Sequence, residues 1–236
     1  MSKNLTAVEK TIKIIKTLSE EPFEFSALEL SKKLGLNRTT VHRILNSLEE
    51  EMLIIRNKIN KKYYIGPALY QIGMQYVNRH DNFIDIRYII DEVARKTKQS
   101  VGYSIIENGK IISLYESEIS QPIKIRYQHG KYYPINCGGY GKTIMAFYEP
   151  IEELEKIVYS TKLEKRTYNT IIEPNKLLKE YEKIRKNGYA ISDEENLLGA
   201  IGIGAPVFDS KGKIYGALAV AAVKGTLKSG EVDELI

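Results

Sequence analysis

The chain has 236 residues, 43% hydrophobic and 28% charged, with a formal net charge of +5, and that length holds one large domain or two ordinary ones. Its single cysteine, Cys137, excludes an internal disulfide framework and any Cys-rich zinc site, and no run approaches the roughly 20 apolar residues that span a bilayer. A soluble, unexported, cytoplasmic protein with no membrane partner, no metal site and no cofactor is expected.

Residues 7–19 place Val8, Ile12, Ile15 and Leu18 on one helical face. Ser26 then caps a short helix through Leu34, Gly35 supplies a turn, and Asn37 caps a second helix over residues 38–50. In that second helix Val41, Ile44, Leu45 and Leu48 have the spacing of a buried stripe. Thr39, Arg43 and Asn46 point nearly opposite the stripe, with Arg38 and His42 on its flanks.

A polar helix face is most often a solvated one. Here a basic turn follows it: Leu53-Ile54-Ile55 leads into RNKINKK and then Tyr63-Tyr64-Ile65, which reads as two strands around a charged tip. Residues 1–66 hold 12 Lys and Arg against 8 Asp and Glu, so +4 of the chain's +5 sits with this motif. The order helix, turn, helix, basic hairpin is that of a winged helix-turn-helix. The candidate DNA-binding residues are Asn37, Arg38, Thr39, Thr40, His42, Arg43 and Asn46 for base edges and phosphates. Lys58, Lys61 and Lys62 in the wing are candidates for the phosphate backbone. Glu49, Glu50 and Glu51, which end the reading helix, should lie away from the groove.

The expected domains are a DNA-binding domain at 1–66, a helical linker at 67–98 and a mixed domain at 99–236. Gly66-Pro67 breaks the hairpin. Helical spacing then resumes through Leu69, Ile72, Gly73 and Tyr76. The stretch from Phe83 to Lys98 spreads Ile84, Ile86, Ile89, Ile90 and Val93 over a wide face, suited to packing on both domains or on a second subunit. From Ser100 the period changes to two. SVGYSIIE, a turn at Asn108-Gly109 and KIISLYESE form a hairpin, and residues 122–127 a third strand. Residues 137–147 and 175–186 look helical, the second ending at Asn187-Gly188. GAIGIGAPVFD, a turn at 210–212 and KIYGALAVAAV are a second strand pair. The class is α+β: an antiparallel sheet with helices laid against it.

Nearly the whole chain resembles the IclR family of bacterial transcriptional regulators. The likeness rests on AVEKTIKIIKTL, LELSKKLGLNRTTVHRILNSLEE and KKYYIGPALYQIG in the first half. In the second it rests on GKTIMA at 141–146, GYA at 188–190, ENLLG at 195–199, APV at 205–207 and GALAV at 216–220. The resemblance implies a C-terminal effector-binding domain of GAF-like fold joined to the winged helix by a connector helix. It also implies assembly as a homodimer or dimer of dimers. The chain ends at Leu235-Ile236 where the family usually continues with one more helix, which reads as a clipped C-terminus.

By the same resemblance the effector pocket is built from Tyr133, Asn136, Cys137, Gly138, Gly139, Tyr140, Ser192, Asp193, Ile201, Gly202, Ala219 and Ala221. Independently of the family, Gly138-Gly139 opening a helix would offer bare backbone N–H groups to an anion. Relatives that bind small organic acids tend to carry hydroxyl or acidic side chains where Ser192, Ala219 and Ala221 stand. Two alanines there argue for a different acid, with Tyr133 and Tyr140 as walls for an aromatic one.

Other readings fit less well. GGYGKT ends like a P-loop, but the position five before Gly141 is Asn136 rather than glycine, and Gly199, Gly202 and Gly204 have the wrong gaps for a dinucleotide fingerprint. His42, His80 and His129 sit in no triad-like or metal-like setting, Asp193-Glu194-Glu195 reads as a solvated loop, and Cys137 as a small buried residue, so an enzyme is not expected. The expected function is a transcription factor, a repressor of a catabolic operon, that binds a palindromic double-stranded DNA operator and is controlled by a small-molecule effector of the carboxylate or aromatic-acid class bound in the C-terminal domain. The alternatives are an activator of the same architecture and an effector-independent DNA binder.

Overall fold

The computed structural model describes residues 5–78, 83–117, 125, 130–228 and 230–236. The expected strand at 122–127, apart from Ile125, and the histidines at 80 and 129 lie outside them. The chain divides into two compact units, residues 1–81 and 82–236.

In the first unit, helix α1 (Ala7–Leu18) opens with a capping box. The Thr6 hydroxyl accepts the Glu9 N–H at 3.2 Å, and the Glu9 carboxylate accepts the Thr6 N–H at 2.7 Å. The same device, Ser26 with Glu29, starts α2 (Ala27–Leu34), which ends at Gly35 with φ +63°, a conformation that favours glycine. Asn37 accepts the Thr39 N–H at 2.9 Å to start α3 (Arg38–Glu50). Strands β1 (Ile54–Arg56) and β2 (Tyr63–Ile65) pair antiparallel. Phe25 adds a single antiparallel bridge to β2 through N–H···O bonds of 3.0 and 2.8 Å with Tyr63.

Val41, Ile44, Leu45 and Leu48 of α3 close a core with Leu30 and Ile54. The contribution of α1 differs from its expected stripe: Ile14 and Leu18 are buried, whereas Val8 and Ile12 are exposed. Adjacent Ile14 and Ile15 allow two overlapping apolar stripes, and periodicity alone does not choose between them. Gly66 closes the unit, since a Cβ there would collide with the Met52 carbonyl. Helix α4 (Pro67–Asn78) buries none of its residues within the chain, although Leu69, Tyr70, Ile72 and Tyr76 give it much apolar surface.

The second unit contains α5 (Phe83–Thr97), β3 (Ser100–Glu107), β4 (Lys110–Ser117), β5 (Tyr132–Tyr133), α6 (Gly138–Ala146), α7 (Ile151–Ser160), α8 (Pro174–Asn187), β6 (Ala190–Asp193), β7 (Ala200–Phe208), β8 (Ile214–Val223) and α9 (Glu231–Glu234). The strands form one antiparallel sheet in the order β5-β4-β3-β8-β7-β6. Four of these elements, β5, α7, β6 and α9, add to those read from the sequence. The β3–β4 turn has both Asn108 and Gly109 at positive φ, as the Asn-Gly pair implies.

Helix α6 lies on one face of the sheet and is buried from Gly139 to Ala146. Tyr140 reaches Gly102 of β3, where a Cβ would strike its hydroxyl, and Ala217 and Ala219 line the same face. Side chains alternate along β3, so Val101, Tyr103 and Ile105 point to the opposite face, and all three are buried. Helix α5 covers that side through Ile90 and Ala94, with Asp91 accepting the Tyr115 hydroxyl at 3.0 Å.

Candidate functional site

Two surfaces carry chemistry, one in each unit. In the first, the exposed part of α3 carries Arg38, Thr39, Arg43 and Asn46, while Thr40 and His42 are half-buried and the Asn37 side chain is occupied as the cap. The turn between β1 and β2 is braced by side chains. The Asn57 carbonyl of the side chain accepts the N–H groups of Ile59 at 2.8 Å and Asn60 at 3.4 Å, and the Asn60 amide reaches both oxygens of Glu24 at 3.2 Å. Lys58 and Lys61 are exposed at this tip. Lys62 is held back, 3.6 Å from the Glu29 carboxylate that caps α2. Ile59 forms the apex and is 92% exposed.

In the second unit a cavity of about 210 Å³ opens between the N-terminus of α6, strands β6–β8 and the segment joining α7 to α8. Eight of the expected pocket residues line it: Tyr133, Gly138, Gly139, Tyr140, Ser192, Ile201, Gly202 and Ala221. Tyr133 and Tyr140 meet edge to face, with ring centroids 5.1 Å apart. The other four lie elsewhere. Asn136 is buried, its amide holding the Glu164 carbonyl at 3.0 Å and the Ile171 carbonyl at 2.7 Å. Cys137 is buried, which pushes its thiol up to about 12. Asp193 binds the Lys224 ammonium at the surface, and Ala219 is packed under α6 against Gly139. Ile125, Lys131, Arg166, Asn196, Leu197 and Ala200 complete the lining without having been expected.

Gly138 does not offer its N–H group as expected. The Gly138 N–H already donates to the Ser192 hydroxyl at 2.9 Å, and Gly139 is wedged so tightly that a Cβ would stand 2.9 Å from that of Ala219. Ser192 in turn donates to the Glu195 carboxylate at 2.9 Å. The acidic run at 193–195 is therefore not a uniformly solvated loop. Asp193 and Glu194 bind Lys224 at the surface, but Glu195 turns inward. Its carboxylate accepts from Lys142 at 2.7 Å, and that ammonium also donates to Glu180 at 2.9 Å and to the Ile191 carbonyl at 2.7 Å. Lys142 is fully buried. The lysine of the sequence GKT thus holds α6, α8 and β6 together, and Gly141 beside it is required because a Cβ would strike the Pro134 carbonyl. Burial raises the Glu195 carboxyl above its ordinary value, with the Lys142 ammonium and the Ser192 hydroxyl pulling the other way.

The segment carrying Arg166 has no regular structure but is firmly attached. The Thr167 hydroxyl donates to the Glu194 carbonyl at 2.7 Å, the Thr170 hydroxyl to the Glu195 carbonyl at 2.6 Å, and the Thr170 hydroxyl oxygen accepts the N–H groups of Arg166 and Thr167. Among the described residues, no helix is long and apolar enough to cross a membrane, and no cluster of His, Cys, Asp and Glu is arranged to hold a metal ion.

Comparison with known proteins matches residues 7–56 to the IclR helix-turn-helix domain and residues 74–236 to the bacterial transcriptional regulator IclR C-terminal domain. The HTH-type transcriptional regulator KipR of Bacillus subtilis is 26% identical over 93% of this chain and 86% of its own length. The crystal structure of the Thermotoga maritima IclR superposes with a TM-score of 0.78 at 27% identity, covering 97% of this chain and 92% of that one. An IclR homolog from Microbacterium hydrocarbonoxydans complexed with 4-hydroxybenzoate superposes with a TM-score of 0.81 at 15% identity, covering 98% of this chain and 94% of that one.

Proposed function

Because the chain belongs to the IclR family of bacterial transcriptional regulators, and is thereby a DNA-binding regulator rather than an enzyme, we propose that it is a repressor whose grip on an operator is set by a small organic acid. The observation that carries this is the pairing, in one chain, of an exposed polar reading helix beside a braced cationic wing with a separate cavity lined by aromatic rings and two cations.

Helix α3 enters the major groove, where Arg43 and Asn46 meet base edges and Arg38 and Thr39 meet phosphates near its N-terminus. Lys58 and Lys61 lie along the backbone, and Ile59 between them makes apolar contact with sugars in the neighbouring groove. Lys62 acts through Glu29 to hold the wing to α2. A single such module reads few base pairs, so useful specificity needs two copies on a palindromic site. The apolar surface of α4, unburied within the chain, suits a homodimer contact, and the regulator works in the cytoplasm.

A cavity of about 150 Å³ holds one benzene ring. At about 210 Å³ this one suits a single-ring or short-chain acid. The solved homolog with 4-hydroxybenzoate supports that size class. Effector and operator communicate only if the acid binds the operator-free state with a different affinity from the bound one.

The test is binding of the full-length protein to the DNA upstream of its own gene, competed with random DNA at fixed salt, then titrated with carboxylic acids. Operator-specific binding weakened by an acid supports the repressor reading. Binding strengthened by an acid transfers the account to an activator, and sequence-blind binding untouched by every acid rejects it.

A further inference from the structure

We propose that Arg166 is the residue that recognises the effector's carboxylate, and that Glu164 holds it in reserve until the acid arrives. The inference rests on the reading of the 210 Å³ cavity as the effector pocket.

The hydrogen-bond accounting leads there. A carboxylate needs donors, and two of the obvious ones are spent. The Ser192 hydroxyl has one proton, which goes to Glu195, and the Gly138 N–H goes to Ser192. Among the described residues the charged side chains that line the cavity are Lys131 and Arg166, so an anion entering it is met by positive charge, and the carboxylate beside Arg166, Glu164, is not part of the lining. Lys131 is exposed at the rim. Arg166 sits on a segment fixed by Thr167 and Thr170, and its side chain is 33% exposed.

The Arg166 Nη2 donates to the Glu164 Oε2 at 2.7 Å. The Glu164 side chain is largely solvated, and an exposed pair of this kind contributes little to stability. A carboxylate held in the cavity forms the same charge-assisted bond in a drier place and also gains contact with Tyr133 and Ile201. The guanidinium therefore exchanges one carboxylate for another. The arrangement gives the pocket selectivity for anions over neutral molecules of equal shape.

The experiment measures binding of benzoate, 4-hydroxybenzoate and hexanoate, and of the three matching primary amides, to the full-length wild type and three variants by calorimetry. Arg166→Gln should weaken acid binding at least tenfold and leave the amides unchanged. Arg166→Lys should restore part of the loss, and Glu164→Gln should tighten the acids several-fold by removing the competitor. Retained melting temperature shows that each variant is folded. If the acids bind the wild type and Arg166→Gln equally, the assignment of Arg166 is overturned while the pocket keeps its function. If no acid binds the wild type, both fall.

Discussion

Lys142→Met replaces a fully buried ammonium by an apolar side chain of similar length, and the structure fixes what is left behind. Glu180 is near enough to solvent to hydrate, but Glu195 and the Ile191 carbonyl lose a buried partner. The stranded carbonyl costs about 1–3 kcal/mol. Glu195 either stays charged at greater cost or takes up a proton, and proton uptake sets a ceiling. Its ordinary value is 4.5, so neutralising it at pH 7 costs at most about 3 kcal/mol at 1.36 kcal/mol per unit. At pH 5 the same step costs under about 1 kcal/mol.

The sign follows from linkage. The folded state binds this proton more tightly than the unfolded chain, so the associated stability is fully present below 4.5 and is lost as pH rises through the raised folded value. Removing Lys142 raises that value further and extends the loss toward neutral pH. Urea unfolding at one protein concentration, followed by circular dichroism because the chain has no tryptophan, should therefore show the variant weakened by about 3–5 kcal/mol at pH 7. The deficit should shrink by about 2 kcal/mol at pH 5. Adding Glu195→Gln should recover that pH-dependent part. A deficit below about 1 kcal/mol at pH 7, or one indifferent to pH, would refute the reasoning.

Three other outcomes are expected. Arg43→Ala should relax base preference at one operator position at a cost of about 1–3 kcal/mol, seen by binding to a set of single-base operator variants, whereas equal loss on every sequence would make it a phosphate contact. Replacing Lys58 and Lys61 together by Gln should flatten the logarithmic salt dependence of DNA binding by about 2 per bound chain, and an unchanged slope would place the wing off the backbone. Gly204→Ala drives a methyl into the Gly139 carbonyl and the Thr143 hydroxyl and should lower stability by about 1–3 kcal/mol or more, while Gly73→Ala on α4, where a Cβ meets nothing within 4 Å, should be neutral or stabilising by up to about 1 kcal/mol; an unchanged melting temperature for Gly204→Ala, or a lowered one for Gly73→Ala, would contradict the respective expectation.

What could be read from the sequence was what local chemistry specifies. Ser26, Gly35 and Asn37 mark the helix boundaries of the reading unit by capping and by positive φ, and the α3 stripe follows from a 3.6-residue period. The Asn108-Gly109 hairpin was legible for the same reason. Strand β6 has four residues and exists because β7 pairs with it, and β5 has two. Neither carries a periodicity of its own.

The site shows the same division. Tyr140 and Gly202 stand in a helix and a strand that could be read from the sequence, but Arg166 lies in a segment without regular structure. It is brought to the cavity by hydroxyls of Thr167 and Thr170 reaching residues more than twenty positions away. Lys142 in GKT drew only a P-loop comparison, which the spacing excluded. Its burial depends on Glu180 and Glu195 arriving from two other elements. The helix itself was legible, but its burial was not, because Lys142 and Thr143 in its middle are polar.

The most direct test of a ligand-responsive repressor is reciprocity. The acid found to act on the operator complex is titrated into the free protein and into the operator-bound protein, and the operator affinity is measured with and without saturating acid. The account predicts that the acid binds the free protein more tightly, and that this ratio equals the factor by which the acid weakens operator binding. Equal affinity of the acid for the two states would mean that cavity and reading helix are uncoupled and would contradict the account.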